Sequence, residues 1–237
     1  MILRGEVRPA VKTRYRWVDP ARPEPAVLEE AARVIRGGGI VAHPTETVYG
    51  LAADVFNEAA VRRVCAVKGR PVGKPLIVAV AAREDLEGLV RELVPGAEAL
   101  MAAFWPGPLT LVLPRRREVP EAVTGGRDGV AVRMPAHPLA LALLRAAGTP
   151  VTTTSANPAG APPPVTAAQV ERYLAGRIEV LLDGGPAGSG VPSTILDLTA
   201  GVPTVLRVGA VGPAELAAVL GCPVAAPGPA AGTACRP

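Results

Sequence analysis

The residues best suited to chemistry lie in Lys68-Gly69-Arg70-Pro71-Val72-Gly73-Lys74-Pro75-Leu76-Ile77-Val78. Lys68, Arg70 and Lys74 fall within one short segment, interleaved with glycine and proline and with no acid to pair with. Gly and Pro fix an irregular backbone, and unpaired cations held on such a backbone suit a polyphosphate. The Walker order G-x-x-x-x-G-K-[ST] is absent. The bland alternative is an exposed basic loop. The segment runs directly into an apolar strand, which favours function over that alternative. The whole chain has only three lysines, Lys12 being the other, so two in this segment is a concentration.

A second set of polar side chains follows three glycines. Gly37 to Gly39 lead into Ile40-Val41-Ala42-His43-Pro44-Thr45-Glu46-Thr47-Val48-Tyr49-Gly50-Leu51. Ile40 to Ala42 reads as the start of a buried strand, and Pro44 must stop or kink its pairing. Thr45 and Thr47 then project hydroxyls from a strand end, where α/β folds bind ligands, unless they are plain solvated turn residues. Val151-Thr152-Thr153-Thr154-Ser155-Ala156-Asn157-Pro158 is a strand running into hydroxyls and an amide. Such groups bind ribose, carboxylate or phosphate, and they also cap turns. Thr110 is polar in the apolar strand Leu109-Thr110-Leu111-Val112-Leu113, either satisfied in the core or facing a ligand. Arg133 stands near the end of the strand Val130-Ala131-Val132-Arg133. Burying an unpaired Arg is costly, so it needs an anion from the chain or from a substrate.

The elements that must position these groups alternate as in an α/β fold. Helices are predicted over residues 25–36, 58–67, 83–94, 95–104, 138–147, 167–174 and 213–220. Val27, Ala31, Val34 and Ile35 make the apolar stripe of the first, and Asn57 and Thr166 supply N-caps. Strands are predicted over residues 178–183, 193–198 and 204–209, besides those above. Residues 1–24 read as an extension with one strand. Residues 25–220 read as the main domain, and 221–237 as a flexible tail rich in Pro, Gly and Ala.

The chain has 237 residues, 49% of them hydrophobic and only 3% aromatic, so the core must be aliphatic. No apolar run reaches the length of a membrane span, and the basic N-terminus has no apolar centre of a signal peptide; a cytoplasmic protein is expected. The net charge of +4 favours anionic partners such as nucleotide, RNA or phosphate. Cys65, Cys222 and Cys235 have no C-x-x-C spacing, which speaks against zinc or a disulfide framework. His43 and His137 would have to meet in space to hold a metal, and satisfied structural histidines are commoner.

Seven short segments together resemble one family. Pro44-Thr45-Glu46-Thr47-Val48-Tyr49-Gly50-Leu51 is similar to the opening signature of the YrdC/Sua5 family, the threonylcarbamoyl-AMP synthases. Lys68-Gly69-Arg70-Pro71 with Lys74-Pro75-Leu76 resembles its K-x-R-P…K-P-L motif. Trp105-Pro106-Gly107-Pro108-Leu109-Thr110, Val132-Arg133-Met134-Pro135, Ser155-Ala156-Asn157, Pro192-Ser193-Thr194-Ile195 and Leu206-Arg207-Val208-Gly209 match further motifs in the family's order. The resemblance spans residues 25–220.

The resemblance implies an open, twisted, mixed α/β sheet with flanking helices and a concave basic cavity. It implies synthesis of L-threonylcarbamoyladenylate from L-threonine, bicarbonate and ATP, with pyrophosphate released. That is the first step of t6A modification at position 37 of tRNA. ATP would be bound by Lys68, Arg70, Lys74, Thr110, Asn157 and Arg207, with Mg2+ accompanying it and no protein side chain assigned to the metal. Threonine would be bound by Thr45, Arg133, Ser155 and Ser193. The downstream t6A-transfer machinery and tRNA are the implied partners, with no membrane. Two departures stand out. Ala79 occupies a position where members often carry histidine. The tail also lacks the tyrosine by which a linker closes the site in longer members, so it reads as vestigial. Two other readings remain. One is a non-catalytic RNA-binding module, for which aromatic stacking residues are few. The other is a carbamoyltransferase working through a carbamoyl-adenylate, whose relatives carry zinc-finger and acylphosphatase modules.

Overall fold

The computed structural model describes residues 11–71 and 73–226. In chain order the elements are β1 (Arg14–Trp17), α1 (Pro25–Arg36), β2 (Val41–His43), β3 (Gly50–Ala52), α2 (Glu58–Lys68) and β4 (Ile77–Ala79). There follow α3 (Ala97–Phe104), β5 (Leu109–Pro114), α4 (Glu121–Thr124), β6 (Gly129–Arg133), α5 (Pro138–Ala147), β7 (Val151–Thr152) and β8 (Thr154–Ser155). The series ends with α6 (Ala167–Leu174), β9 (Val180–Asp183), β10 (Thr194–Asp197), β11 (Thr204–Arg207) and α7 (Pro213–Leu220).

Local chemistry sets most of these boundaries. Pro25 opens α1, where its missing N–H costs nothing. Gly38, at φ 77°, then turns the chain into β2. β2 stops at His43 because Pro44 cannot extend the ladder. The Asn57 side chain accepts from the Ala60 N–H at the start of α2, and Thr166 forms a capping box with Gln169 on α6.

Two mixed sheets result. One runs β1-β9-β2-β3-β8 and the other β11-β10-β5-β6-β4-β7. β7 and β8 are separated only by Thr153, so the chain crosses from one sheet to the other within a residue. The Thr153 N–H donates to the Ile77 carbonyl at 2.8 Å, which fixes that crossing. The pleat alternation sorts the side chains of each strand. Val180 and Leu182 pack with α1 and α5, whereas Leu181 joins the main core beside Ala42, Leu51 and Leu174. That core is mostly aliphatic, carried by Val, Leu, Ile and Ala from both sheets and from α2, α3, α6 and α7, with Tyr49, Cys65, Met101 and Met134 among them. No helix among the described residues is long and apolar enough to cross a membrane.

The helix expected over residues 83–94 is not there. Only a 3-10 turn, Glu84–Gly88, forms. Leu86, Leu89 and Val90 are buried at helical spacing, which explains the expectation. The backbone beyond the turn is captured instead by the end of β5: Arg91 N–H donates to Pro114 O, and Arg116 N–H to Leu89 O, each at 2.9 Å. The expected start of α3 at Pro95 moves to Ala97, because Gly96 takes φ 81°. β3 and α4 are short elements without a sequence signal of their own, and the strand expected from Val151 onward divides into β7 and β8. The strand anticipated within residues 1–24 is β1; residues 1–10 lie outside the described residues. Of the tail, Ala225 exchanges backbone bonds with β11 (Val205 N–H to Ala225 O, 3.0 Å, and Ala225 N–H to Pro203 O, 2.8 Å), and residues 227–237 lie outside the described residues.

Candidate active site

The junction of the two sheets encloses a cavity of about 170 Å³. Its wall takes Gly50 from β3, Thr153 to Ser155 from the crossing, Ile77 from β4, Arg133 from the end of β6, Ile195 from β10 and Arg207 from β11. Loop residues close it: Thr45, Thr47 and Val48 after Pro44, Arg70 and Pro75 after α2, Pro163, and Pro192 with Ser193 before β10.

Each arginine is delivered by a different device. Gly69 adopts the left-handed conformation at the end of α2, and Arg70 N–H folds back onto Cys65 O at 2.9 Å. Arg70 then spends one Nη2 donor on Pro75 O at 2.7 Å, while its buried Nε has no partner. Arg207 Nε and Nη2 both donate to Ser193 O, at 3.0 and 2.8 Å, and Nη2 also reaches Ser193 Oγ at 3.0 Å. Arg133, at the last position of β6, is almost fully buried. Its Nη2 donates to both carboxylate oxygens of Glu46 at 2.9 Å. Burial pulls the Arg207 guanidinium below its ordinary pKa, and the charges of Arg133 and Arg70 add to that, so the three share one field. Arg70 and Arg133 are likewise lowered by burial, with Glu46 opposing the shift at Arg133. A cluster of partly or fully buried cations with donors unspent is a site for an anion.

Six of the ten anticipated binding residues line this cavity: Thr45, Arg70, Arg133, Ser155, Ser193 and Arg207. Four do not. Lys68 is buried at the end of α2 and its ammonium donates to the carbonyls of Ser155 and Asn157. Burial, and then the charge of Arg70, pushes its pKa down to about 8. Thr110 stands behind Ser193, with 2.8 Å between their hydroxyls. Asn157 is buried in the following loop, its amide donating to the Pro158 and Ala161 carbonyls while Oδ1 is left unpartnered. Lys74 is exposed, away from the lining.

The family model for the Sua5, YciO and YrdC proteins, described as Telomere recombination, matches residues 33–209. The chain belongs to this Sua5/YciO/YrdC family. It is 49% identical over 191 residues to the threonylcarbamoyl-AMP synthase of Pyrococcus abyssi, covering 81% of this chain and 56% of the relative. It is 45% identical over 195 residues to the threonylcarbamoyl-AMP synthase of Bacillus subtilis, covering 82% and 56%. The chain therefore spans little more than half the length of these two relatives. A putative threonylcarbamoyl-AMP synthase of Mycobacterium tuberculosis is 40% identical over 203 residues, with 86% and 93% covered. Among solved structures, P. abyssi Sua5 in complex with L-threonine superposes with a TM-score of 0.86 at 46% identity, covering 90% of this chain and 62% of that one. YciO of E. coli superposes with a TM-score of 0.78 at 25% identity, covering 86% and 99%.

The family's opening signature holds a contact that residue types alone did not reveal: Glu46, between the two threonines, is the partner of Arg133. The loop Pro162-Pro163-Pro164 supplies Pro163 to the wall, and Tyr49 N–H donates to Pro164 O at 2.9 Å and so pins it beside the cavity. Ala79 is fully buried in β4, in register with Arg133 and Val151, and contributes to the core instead of the cavity wall. His43 is fully buried; desolvation holds its pKa down to about 4, and the charge of His137 adds to the effect. Among the described residues no group of three or more His, Cys, Asp or Glu is placed to hold a metal ion.

Proposed function

We propose that this chain makes L-threonylcarbamoyladenylate from L-threonine, bicarbonate and ATP, releasing pyrophosphate, and is thus a nucleotidyltransferase. The observation that carries the reading is the convergence of Arg70, Arg133 and Arg207 on one hydroxyl-lined cavity in a member of this family. The complex of P. abyssi Sua5 with L-threonine, at 46% identity, supports an amino acid as one substrate.

In this reading the threonine ammonium first loses a proton, and the free amine attacks CO2 with loss of a second proton, or bicarbonate with loss of water, to give a carbamate. A carbamate oxygen then attacks the α-phosphorus of ATP, and pyrophosphate leaves. Such a transfer needs no side-chain nucleophile; it relies on positioning and on neutralising charge. Arg70 meets the triphosphate, and Lys68, holding the 155–157 backbone, shapes the nucleotide pocket and adds to its positive field. Lys74 extends that field outward. Arg207, braced on Ser193 and Thr110, and the loop of Asn157 complete the nucleotide side. Arg133 takes the threonine carboxylate, with Thr45, Ser155 and Ser193 around the rest of the amino acid. Mg2+ belongs to the nucleotide substrate, where it neutralises phosphate oxygens. The product then feeds t6A synthesis on tRNA through separate transfer machinery, in the cytoplasm.

The test is incubation with ATP, bicarbonate and threonine. Threonine-dependent pyrophosphate release is expected. Release that ignores threonine overturns the reading, and RNA binding without turnover favours a binding module.

A further inference from the structure

We infer that Glu46 is the counter-charge for the α-ammonium of the substrate, exchanging its contact with Arg133 for that group when the amino acid binds. The inference rests on the amino-acid site proposed above and goes beyond it by assigning the substrate's cation. An amino acid enters as a zwitterion, and burying its ammonium without a partner costs several kcal/mol. The described residues that line the cavity are cationic, hydroxyl-bearing or apolar; none is Asp, Glu or His. Glu46 is the carboxylate that touches one of them, through Arg133.

The geometry suits an exchange. Arg133 meets Glu46 through a single nitrogen, Nη2, at 2.9 Å to each oxygen. Its Nε is buried with no partner, and Nη1 lies a long 3.4 Å from Thr47 Oγ1. The guanidinium therefore keeps unspent donors for a second carboxylate beside Glu46. A cation and an anion held side by side complement a molecule whose carboxylate and ammonium sit on the same carbon. The exchange needs only a side-chain motion of Glu46. Its backbone is pinned, since Gly188, Ser189 and Gly190 donate to the carbonyls of Thr45, Glu46 and Thr47 at 3.3, 3.0 and 3.0 Å. A Cβ on Gly188 would run into the Glu46 carbonyl, so this clamp tolerates only glycine. Glu46 is the more exposed partner: its side chain is 17% exposed against 5% for Arg133, and its neighbours Thr45 and Thr47 both line the cavity.

The experiment measures binding by calorimetry of L-threonine and of its 2-hydroxy analogue, 2,3-dihydroxybutanoate, which keeps the carboxylate and lacks the amine. Wild type should prefer threonine by at least about tenfold, the equivalent of one well-placed charge contact. Glu46→Gln should abolish that preference by weakening threonine alone, while Glu46→Asp should keep it. Equal loss for both ligands in Glu46→Gln would mean that Glu46 only braces Arg133, and unchanged threonine affinity would also overturn the proposal. Wild-type protein that binds both ligands equally overturns it whatever the variants do. Wild-type protein that binds neither overturns the amino-acid site itself, and the proposal with it.

Discussion

The ammonium of Lys68 donates to the Asn157 carbonyl at 2.8 Å and also to the Ser155 carbonyl, so a cation at the end of α2 holds the loop that follows β8. Lys68 and Arg70 are two residues apart and do different work. Arg70 faces the cavity, whereas Lys68 closes the wall behind it. Both substitutions to alanine should cut pyrophosphate release by about a hundredfold or more, the usual cost of one stabilising charge at a transition state. They should differ in stability. Lys68→Ala takes the ammonium donor from the buried Asn157 carbonyl, at about 1–3 kcal/mol, and leaves the Ser155 carbonyl with the Asn157 N–H alone, while Arg70→Ala releases only its Pro75 contact. Melting curves for the two variants separate the roles. A Lys68→Ala protein as stable as wild type, or near-normal turnover in either variant, would contradict this assignment.

Lys68 also gives a pH signature. Its pKa falls from 10.5 unfolded to about 8 folded, because burial penalises the ammonium. Below about pH 8 both states hold the proton, and the folded state carries the full penalty. Between about pH 8 and 10.5 the unfolded chain binds more protons than the folded one, so stability rises with pH in that window. The neutral amine still donates to the two carbonyls. The unfolding free energy of wild type relative to Lys68→Met should therefore climb above pH 8, by up to about 1.4 kcal/mol per unit. Urea titrations at pH 7.5, 8.5 and 9.5 measure this, and a flat difference would show that Lys68 keeps an ordinary pKa.

The selectivity of the site follows from its hydroxyls. Thr45, Thr47, Ser155 and Ser193 line the cavity with Arg133. A pocket built to hydrogen-bond a substrate hydroxyl leaves its own groups unpaired when an analogue lacks it. Threonine should therefore outrun alanine and glycine in adenylate formation by at least about a hundredfold, with serine the best competitor. Equal rates with alanine would remove the hydroxyl contacts from the picture.

What the sequence made legible was local. Pro44 ending β2 and Asn57 and Thr166 capping their helices each act within a few residues, and each is found at its place. What escaped depends on partners far along the chain. Arg133 needed an anion, but that the anion is Glu46, 87 residues earlier, is set by the meeting of β6 with the loop after β2. The same is true of Lys68: its charge suggested phosphate, while its own hydrogen bonds go to backbone 87 and 89 residues away. The residues 83–94 misled because Leu86, Leu89 and Val90 are buried at helical spacing on a segment that bonds to β5 instead. Burial period alone does not reveal where a backbone finds its hydrogen bonds.

The last prediction concerns the C-terminal segment. Up to Ala225 it is tied to β11 by two backbone bonds, with Val205 and Pro203 as partners. From Pro227 on, the composition is Pro, Gly, Ala, Thr, Cys and Arg, with no large apolar side chain. Ordering such residues costs about 1–2 kcal/mol each for the backbone alone, and they have little surface to bury in return. A chain cut after residue 226 should therefore match the full chain in turnover and in the half-life of its adenylate product. A cut after Leu220 should lower the melting temperature as well, because it strips the edge of β11 of its partner and removes two hydrogen bonds worth about 1 kcal/mol each. Both truncations are read by thermal melts, pyrophosphate release and product decay. If the chain cut after residue 226 releases or hydrolyses its adenylate markedly faster than the full chain, residues 227–237 shield the product, and the composition argument fails.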